Sequence, residues 1–240
     1  MSLLREYIRA LLEFSVKANR KNVHQDGTSK SRGYMSGIDK TWTGEDTNDH
    51  LHSWYVKMGL MEEGVNHNGI MVPAPPPVEQ RLKELEAISS QYANRYNDPS
   101  VLDMLDENME KAFDVVVMTI PGAGSHMDLI LNIKAEILPA IKHHKEHFGT
   151  PRPYELAAQY EIPFEYDKLE TAQTPSYPSG HTAQAYYTAI KLSAIFPQLE
   201  DQLFTLAKMI EESRLDRGVH FPSDNTAGIV LAQQLAGLEP

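Results

Sequence analysis

The chain has 240 residues, no cysteine and a formal net charge of −11 at pH 7. That length supports a full hydrophobic core as one domain, with two as the ceiling, and the cysteine count excludes disulfides and thiol chemistry. The acidic balance argues against nucleic acid as a partner class, and no apolar run approaches the roughly 18 residues of a membrane span.

Helical periodicity dominates and strand alternation is scarce, which predicts an all-α fold. Ser2 is placed to cap a first helix with Leu4, Tyr7, Ile8, Leu11, Leu12 and Val16 on one face. The early charges Arg5 and Glu6 do not read as a signal peptide. A cytoplasmic chain is expected, or an exported one whose leader has been removed. Residues 20–48 are polar and glycine-bearing without periodicity, and read as a long loop. A second helix is expected over 49–63, then a stiff connector over 66–77 that ends in Ala74-Pro75-Pro76-Pro77. A charged helix follows from Val78 to Tyr96, with Leu82, Leu85 and Ile88 on one face. Asp98-Pro99 opens a helix whose pattern continues to Ile120, where Pro121-Gly122-Ala123-Gly124-Ser125 breaks it. Ser125 is placed to cap a helix running through Leu129, Ile130, Ile133, Ile137, Leu138 and Ile141 to Lys145. Shorter helices are expected at 153–160, 180–196, 198–214 and 222–238. The expected organisation is a helical part over residues 1–119 packed on a catalytic helical core over residues 120–240, together one domain.

Three short blocks carry chemistry. Lys145 is followed after six residues by Arg152-Pro153; then comes Pro178-Ser179-Gly180-His181; then Ser213-Arg214, five residues, His220, three residues and Asp224. Arg152 and Arg214 can each offer a planar fork of donors, and Lys145 a point charge, to a tetrahedral oxyanion. Phosphoryl transfer asks mainly for positioning and charge neutralisation, so these cations could serve without a metal. Ser179 and Gly180 precede an apolar-periodic run, so the turn should open a helix, whose free N–H groups favour an anion. An aspartate four residues after His220 can accept from Nδ1–H and leave Nε2 as nucleophile. His181, in the turn beside Ser179, suits the general acid and base.

In these blocks the chain resembles the type 2 phosphatidate phosphatase superfamily, which includes bacterial class A acid phosphatases, membrane lipid phosphatases and vanadium haloperoxidases. The family pattern is Lys-(six)-Arg-Pro, Pro-Ser-Gly-His and Ser-Arg-(five)-His-(three)-Asp, and each specified position is matched. The resemblance covers roughly residues 120–238; residues 1–119 carry none of these motifs. It implies a compact helical bundle of the acid phosphatase/haloperoxidase type. It further implies His220 as nucleophile, Asp224 as its orienter and His181 as general acid. Lys145, Arg152, Ser179, Gly180 and Arg214 are the implied phosphate ligands. The expected activity is metal-independent hydrolysis of a small phosphate ester or diphosphate through phosphohistidine, with no cofactor and vanadate acting as an inhibitor. A mildly acidic optimum follows if His181 must be protonated. The resemblance also leaves room for a homo-oligomer.

Two alternatives stand beside this reading. The same side chains could hold vanadate on His220 in a haloperoxidase, or the fold could survive as a non-catalytic binding protein. Elsewhere the chain suggests less. His143 and His147 lie one turn apart but lack further spaced ligands, so helix-end histidines are the expectation. The 121–125 glycines lack the Lys-Ser/Thr ending of a phosphate loop and read as a helix start.

Overall fold

The computed structural model describes residues 3–23, 70, 72–95 and 98–237. The loop expected over 20–48 starts too early, because the first helix runs on to Val23; the rest of it and the helix expected at 49–63 lie outside the described residues. The chain divides into two compact units, one of Met1–Val16 with Ile70–Pro240 and one of Lys17–Gly69.

Ten α-helices lie among the described residues: α1 Leu3–Val23, α2 Val78–Ala93, α3 Pro99–Glu107, α4 Met109–Val117, α5 Met127–Glu136, α6 Leu138–Phe148, α7 Pro153–Gln159, α8 Gly180–Ile195, α9 Glu200–Asp216 and α10 Pro222–Leu235. No strand occurs among them. The all-α expectation therefore holds, and most helix bounds fall within a few residues of the periodic pattern.

Two helices are shorter than expected. The pattern from Pro99 to Ile120 is interrupted at Asn108, which leaves helical geometry (φ −138°, ψ 41°) and starts α4 anew. The pattern from Ser125 to Lys145 is interrupted at Ile137, because Pro139 sits in the first turn of α6 and has no N–H to donate back. Apolar periodicity passes through both breaks, since both halves face the same core. Ser125 does cap from one position further out, its Oγ accepting from Met127 N at 3.3 Å.

α8 is the central element. It packs most extensively on α9 and α10, and also against α5 and α6. Its Ala183, Ala185, Tyr187, Ala189 and Leu192 are buried among Phe113, Val117, Ile130, Leu206, Ile210 and Leu231. Ile8 and Leu12 of α1 are fully buried in the same cluster. The core thus continues across residue 119 and joins α3 and α4 to the later helices. A second cluster joins Leu85 and Ile88 of α2 to Leu156, Ala157 and Phe221. Small residues make the closest crossing possible. At Gly228 of α10 an added Cβ would lie 2.7 Å from Ser179 O and 3.1 Å from Ala183 N. No helix among the described residues is long and apolar enough to cross a membrane.

Candidate active site

Two of the three sequence blocks are built at helix starts in the same way. Arg152 precedes α7, and its N–H donates to the Glu155 carboxylate at 2.6 Å. His220 sits one residue before the N-cap of α10. There Phe221 N donates to Asp224 Oδ2 at 2.9 Å, and Pro222 opens the helix. A proline-opened helix with an acidic residue in its first turn fixes the incoming chain in both places. Ser179 caps α8 from an extended conformation, and its own N–H donates to Asp224 O at 2.9 Å. Gly218 (φ +66°) makes the turn that brings the chain from α9 to His220; a Cβ there would lie 2.9 Å from Glu165 O.

His220 and Asp224 are both buried, with Nδ1 3.0 Å from Asp224 Oδ2. The other ring nitrogen, Nε2, lies 3.0 Å from Arg152 Nη1. A guanidinium can only donate, so Nε2 must be the acceptor and Nδ1 must carry the proton. The ring is therefore neutral with its lone pair on Nε2. Burial, followed by the charges of Arg152, Lys145 and Arg214, holds its pKa well below the usual histidine range. Asp224 Oδ2 also accepts from Ser176 Oγ. Burial raises its pKa, opposed by the Ser176 and Phe221 hydrogen bonds and by the cations Arg81 and Lys145.

The three predicted cations are buried around this pair. Arg152 spans the loops, with Nε donating to Thr174 O at 2.9 Å and Nη1 to Val219 O at 2.8 Å. Burial and the neighbouring Arg214 bring its pKa down to about 10. Lys145 donates to Pro175 O and, at 3.4 Å, to Ser176 O. Burial, then Arg152 and Arg214 against the opposing pull of Asp224, lowers its pKa to about 7. Gly180 lies directly against this lysine: a Cβ there would sit 3.6 Å from Lys145 Cε and 3.3 Å from Ile141. Ser179 Oγ lies 2.9 Å from Thr182 Oγ1, within the first turn of α8.

Arg214 is fully buried and donates through Nη1 to Asp106 Oδ1. Its Nε and Nη2 have no hydrogen-bond acceptor among the described residues. Asp106 also receives Thr171 Oγ1 at 2.9 Å. His181, its side chain 16 % exposed, places Nε2 2.9 Å from the Asp106 carbonyl oxygen and 3.4 Å from the Asp106 carboxylate. A carbonyl only accepts, so His181 carries a proton on Nε2. Burial and then Arg214, outweighing the opposing pull of Asp106, lower the His181 pKa to about 3.

The eight predicted residues thus fall in two contact groups, six around Ser176 and Asp224 and two, His181 and Arg214, around Asp106, with the charge of Arg214 acting on His220. Three members were not singled out from the sequence: Asp106, Ser176 and Arg81. Arg81 lies behind Asp224, its Nη2 3.9 Å from Oδ1. A signal existed for two of them. Asp106 follows Leu102 by four residues and Arg81 precedes Leu85 by four, so each puts a charge in phase with a buried apolar face. The histidines at 143 and 147 stack with ring centroids 6.5 Å apart. Among the described residues no group of three His, Asp or Glu side chains is placed to hold a metal ion.

Residues 128–238 match the PAP2 superfamily. A non-specific acid phosphatase from Providencia stuartii is 27 % identical over 177 residues, which cover 72 % of this chain and 64 % of that protein. The chain therefore spans just under two thirds of that relative's length. The holo form of a bacterial vanadium-dependent chloroperoxidase superposes with a TM-score of 0.57 at 16 % identity, covering 72 % of this chain and 50 % of that one. That likeness is one of fold.

Proposed function

We propose that the protein is a metal-independent phosphatase that hydrolyses small phosphate esters through a phosphohistidine on His220, a reading supported by the match of residues 128–238 to the PAP2 superfamily. The observation that carries this reading is Arg214. A fully buried guanidinium with two nitrogens lacking acceptors is costly. An oxyanion placed before His220 would supply those acceptors, and would offset the mutual repulsion of Lys145, Arg152 and Arg214. The acid phosphatase relative supports the same reading.

In this reaction the phosphate oxygens draw Arg152 Nη1 away from His220 Nε2 and free the lone pair. Nε2 attacks phosphorus while the bond to the leaving oxygen breaks. Asp224 holds Nδ1–H throughout and stabilises the positive ring. His181 is neutral in the free site, first because it is buried and then because of Arg214. A bound anion offsets that charge and lets His181 take up the proton it passes to the leaving oxygen. Water then attacks phosphorus, His181 recovers its proton, and the P–N bond breaks to release inorganic phosphate. Lys145 holds its charge only below about pH 7, so kcat/KM should decline above that pH.

The test uses p-nitrophenyl phosphate and a radiolabelled ester. Hydrolysis should persist in EDTA, and His220→Ala should abolish both turnover and the acid-labile protein-bound label. Labelling that survives His220→Ala rejects the nucleophile. Bromination of monochlorodimedone with added vanadate and peroxide, without ester hydrolysis, would assign a haloperoxidase instead.

A further inference from the structure

Arg81 lies on α2, outside the segment that matches the superfamily and outside all three sequence blocks. It is almost wholly buried, at 3 % exposure. A buried arginine on an apolar helix face is costly unless its surroundings use the charge, and three neighbours surround this one. Nη2 donates to Pro151 O at 2.8 Å, one residue before Arg152. The guanidinium carbon stands 4.2 Å from the ring centroid of Phe221, one residue after His220. The same Nη2 lies 3.9 Å from Asp224 Oδ1.

That last contact matters because of how the Asp224 oxygens are served. Oδ2 collects the donors of Ser176, Phe221 and His220. Oδ1 is buried with no hydrogen bond among the described residues. Its stabilisation is electrostatic, and the cation facing it is Arg81. One turn along α2, Glu84 accepts from Ser223 Oγ at 2.8 Å in the first turn of α10. The helix therefore grips the start of α10 at two points.

We propose that Arg81 is a positioning residue of the phosphate site: from behind, it holds Asp224 ionised and oriented, and thereby keeps the proton of His220 on Nδ1. It does not touch the substrate. It acts through Asp224, and it ties the chain before Arg152 to the chain after His220. The inference rests on the phosphatase reading only for its kinetic consequence. The charged and titratable groups that face Asp224 are Arg81 and Glu84 from α2, Lys145 from α6, Arg152 before α7, Tyr177 from the following loop and His220. Of these, Arg81 alone offers a positive charge to Oδ1 at salt-bridge distance. Without it, a carboxyl that burial already pushes upward rises further. Asp224 then takes a proton at higher pH and stops accepting from Nδ1–H, so the tautomer is held from one side only, by Arg152 Nη1 on Nε2.

The experiment compares Arg81→Met and Arg81→Lys with the parent chain. The Met variant should lose roughly ten- to a hundredfold in kcat with KM within about threefold, by analogy with the outer partners that orient metal-bound imidazoles. The acidic limb of its pH profile should move upward, and the Lys variant should recover part of both effects. Long-range proton–nitrogen NMR of the His220 ring reads the tautomer without any turnover. The parent ring should show Nδ1 protonated, and the Met variant a mixture of the two neutral forms. A folded Met variant with parental kcat, pH profile and tautomer overturns the proposal. So does a loss of rate in both variants with tautomer and acidic limb unchanged, which would make Arg81 merely structural. If the Met variant does not fold, the Lys variant decides by the same readouts. A parent chain without ester hydrolysis would sink the phosphatase reading, while the NMR comparison would still judge Arg81.

Discussion

Arg214 and Asp106 are both buried, and their pairing is more than a brace. The carboxylate takes one edge of the guanidinium and leaves Nε and Nη2 without acceptors. It also lies 3.4 Å from His181. Burial alone would raise the Asp106 pKa, but Arg214, His181 and the donors of Arg214 and Thr171 together lower it, so Asp106 stays ionised. Replacing one partner of such a pair leaves an uncompensated buried charge. Asp106→Asn should therefore cost about 3–5 kcal/mol of stability. Saturating phosphate should narrow that gap, because an anion beside Arg214 replaces the missing charge. Thermal melts of parent and variant, with and without phosphate, check this. A gap that phosphate leaves unchanged would show that Arg214 does not face the anion. The spacing from Leu102 marks Asp106 as buried, but its partner lies 108 positions away, and no local spacing encodes that contact.

At the scale of helices, the start of α8 is fixed from two sides, by Asp224 O accepting from Ser179 N and by the glycine crossing with α10. Gly228 permits that crossing. In Gly228→Ala the new methyl would meet the Ser179 carbonyl, and backbone cannot swing aside as a flexible side chain can. We expect a loss of about 1–3 kcal/mol, typical of overpacking, together with weaker phosphate binding because the Ser179 turn must shift. Urea midpoints and phosphate affinities measured side by side test this. A stability loss with unchanged affinity would show that the crossing holds the fold and not the anion turn. The helices themselves were largely legible. Their bounds follow caps and prolines that act within a turn, such as Asp98, whose Oδ1 accepts from Ser100 N at 3.0 Å. The breaks at Asn108 and Ile137 were not, because the apolar stripe that reveals a helix records which face is buried and not whether the axis is continuous.

Across the molecule, the site was legible to the extent that its residues sit in short blocks with fixed internal spacing. Lys145, Arg152, Ser179, Gly180, His181, Arg214, His220 and Asp224 all belong to such blocks. Arg81, Asp106 and Ser176 do not; they enter through tertiary packing, from α2, from α3 and from the loop before α8. Three of these eleven residues are therefore written in the fold and not in the motifs. The chain's net charge of −11 conceals this local excess of cations.

Lys145 gives that excess a measurable consequence. With its pKa lowered to about 7 by burial and by Arg152, this amine gives up its proton far more readily than an exposed lysine does. An anion settling beside it favours the charged form, so binding must draw protons from the surrounding buffer. Isothermal calorimetry of inorganic phosphate near pH 7 should then return heats that differ between Tris and phosphate-free buffers of low ionisation enthalpy, with a slope indicating net proton uptake; Lys145→Met should flatten that slope. The protein would be registering solution acidity in the act of holding its ligand.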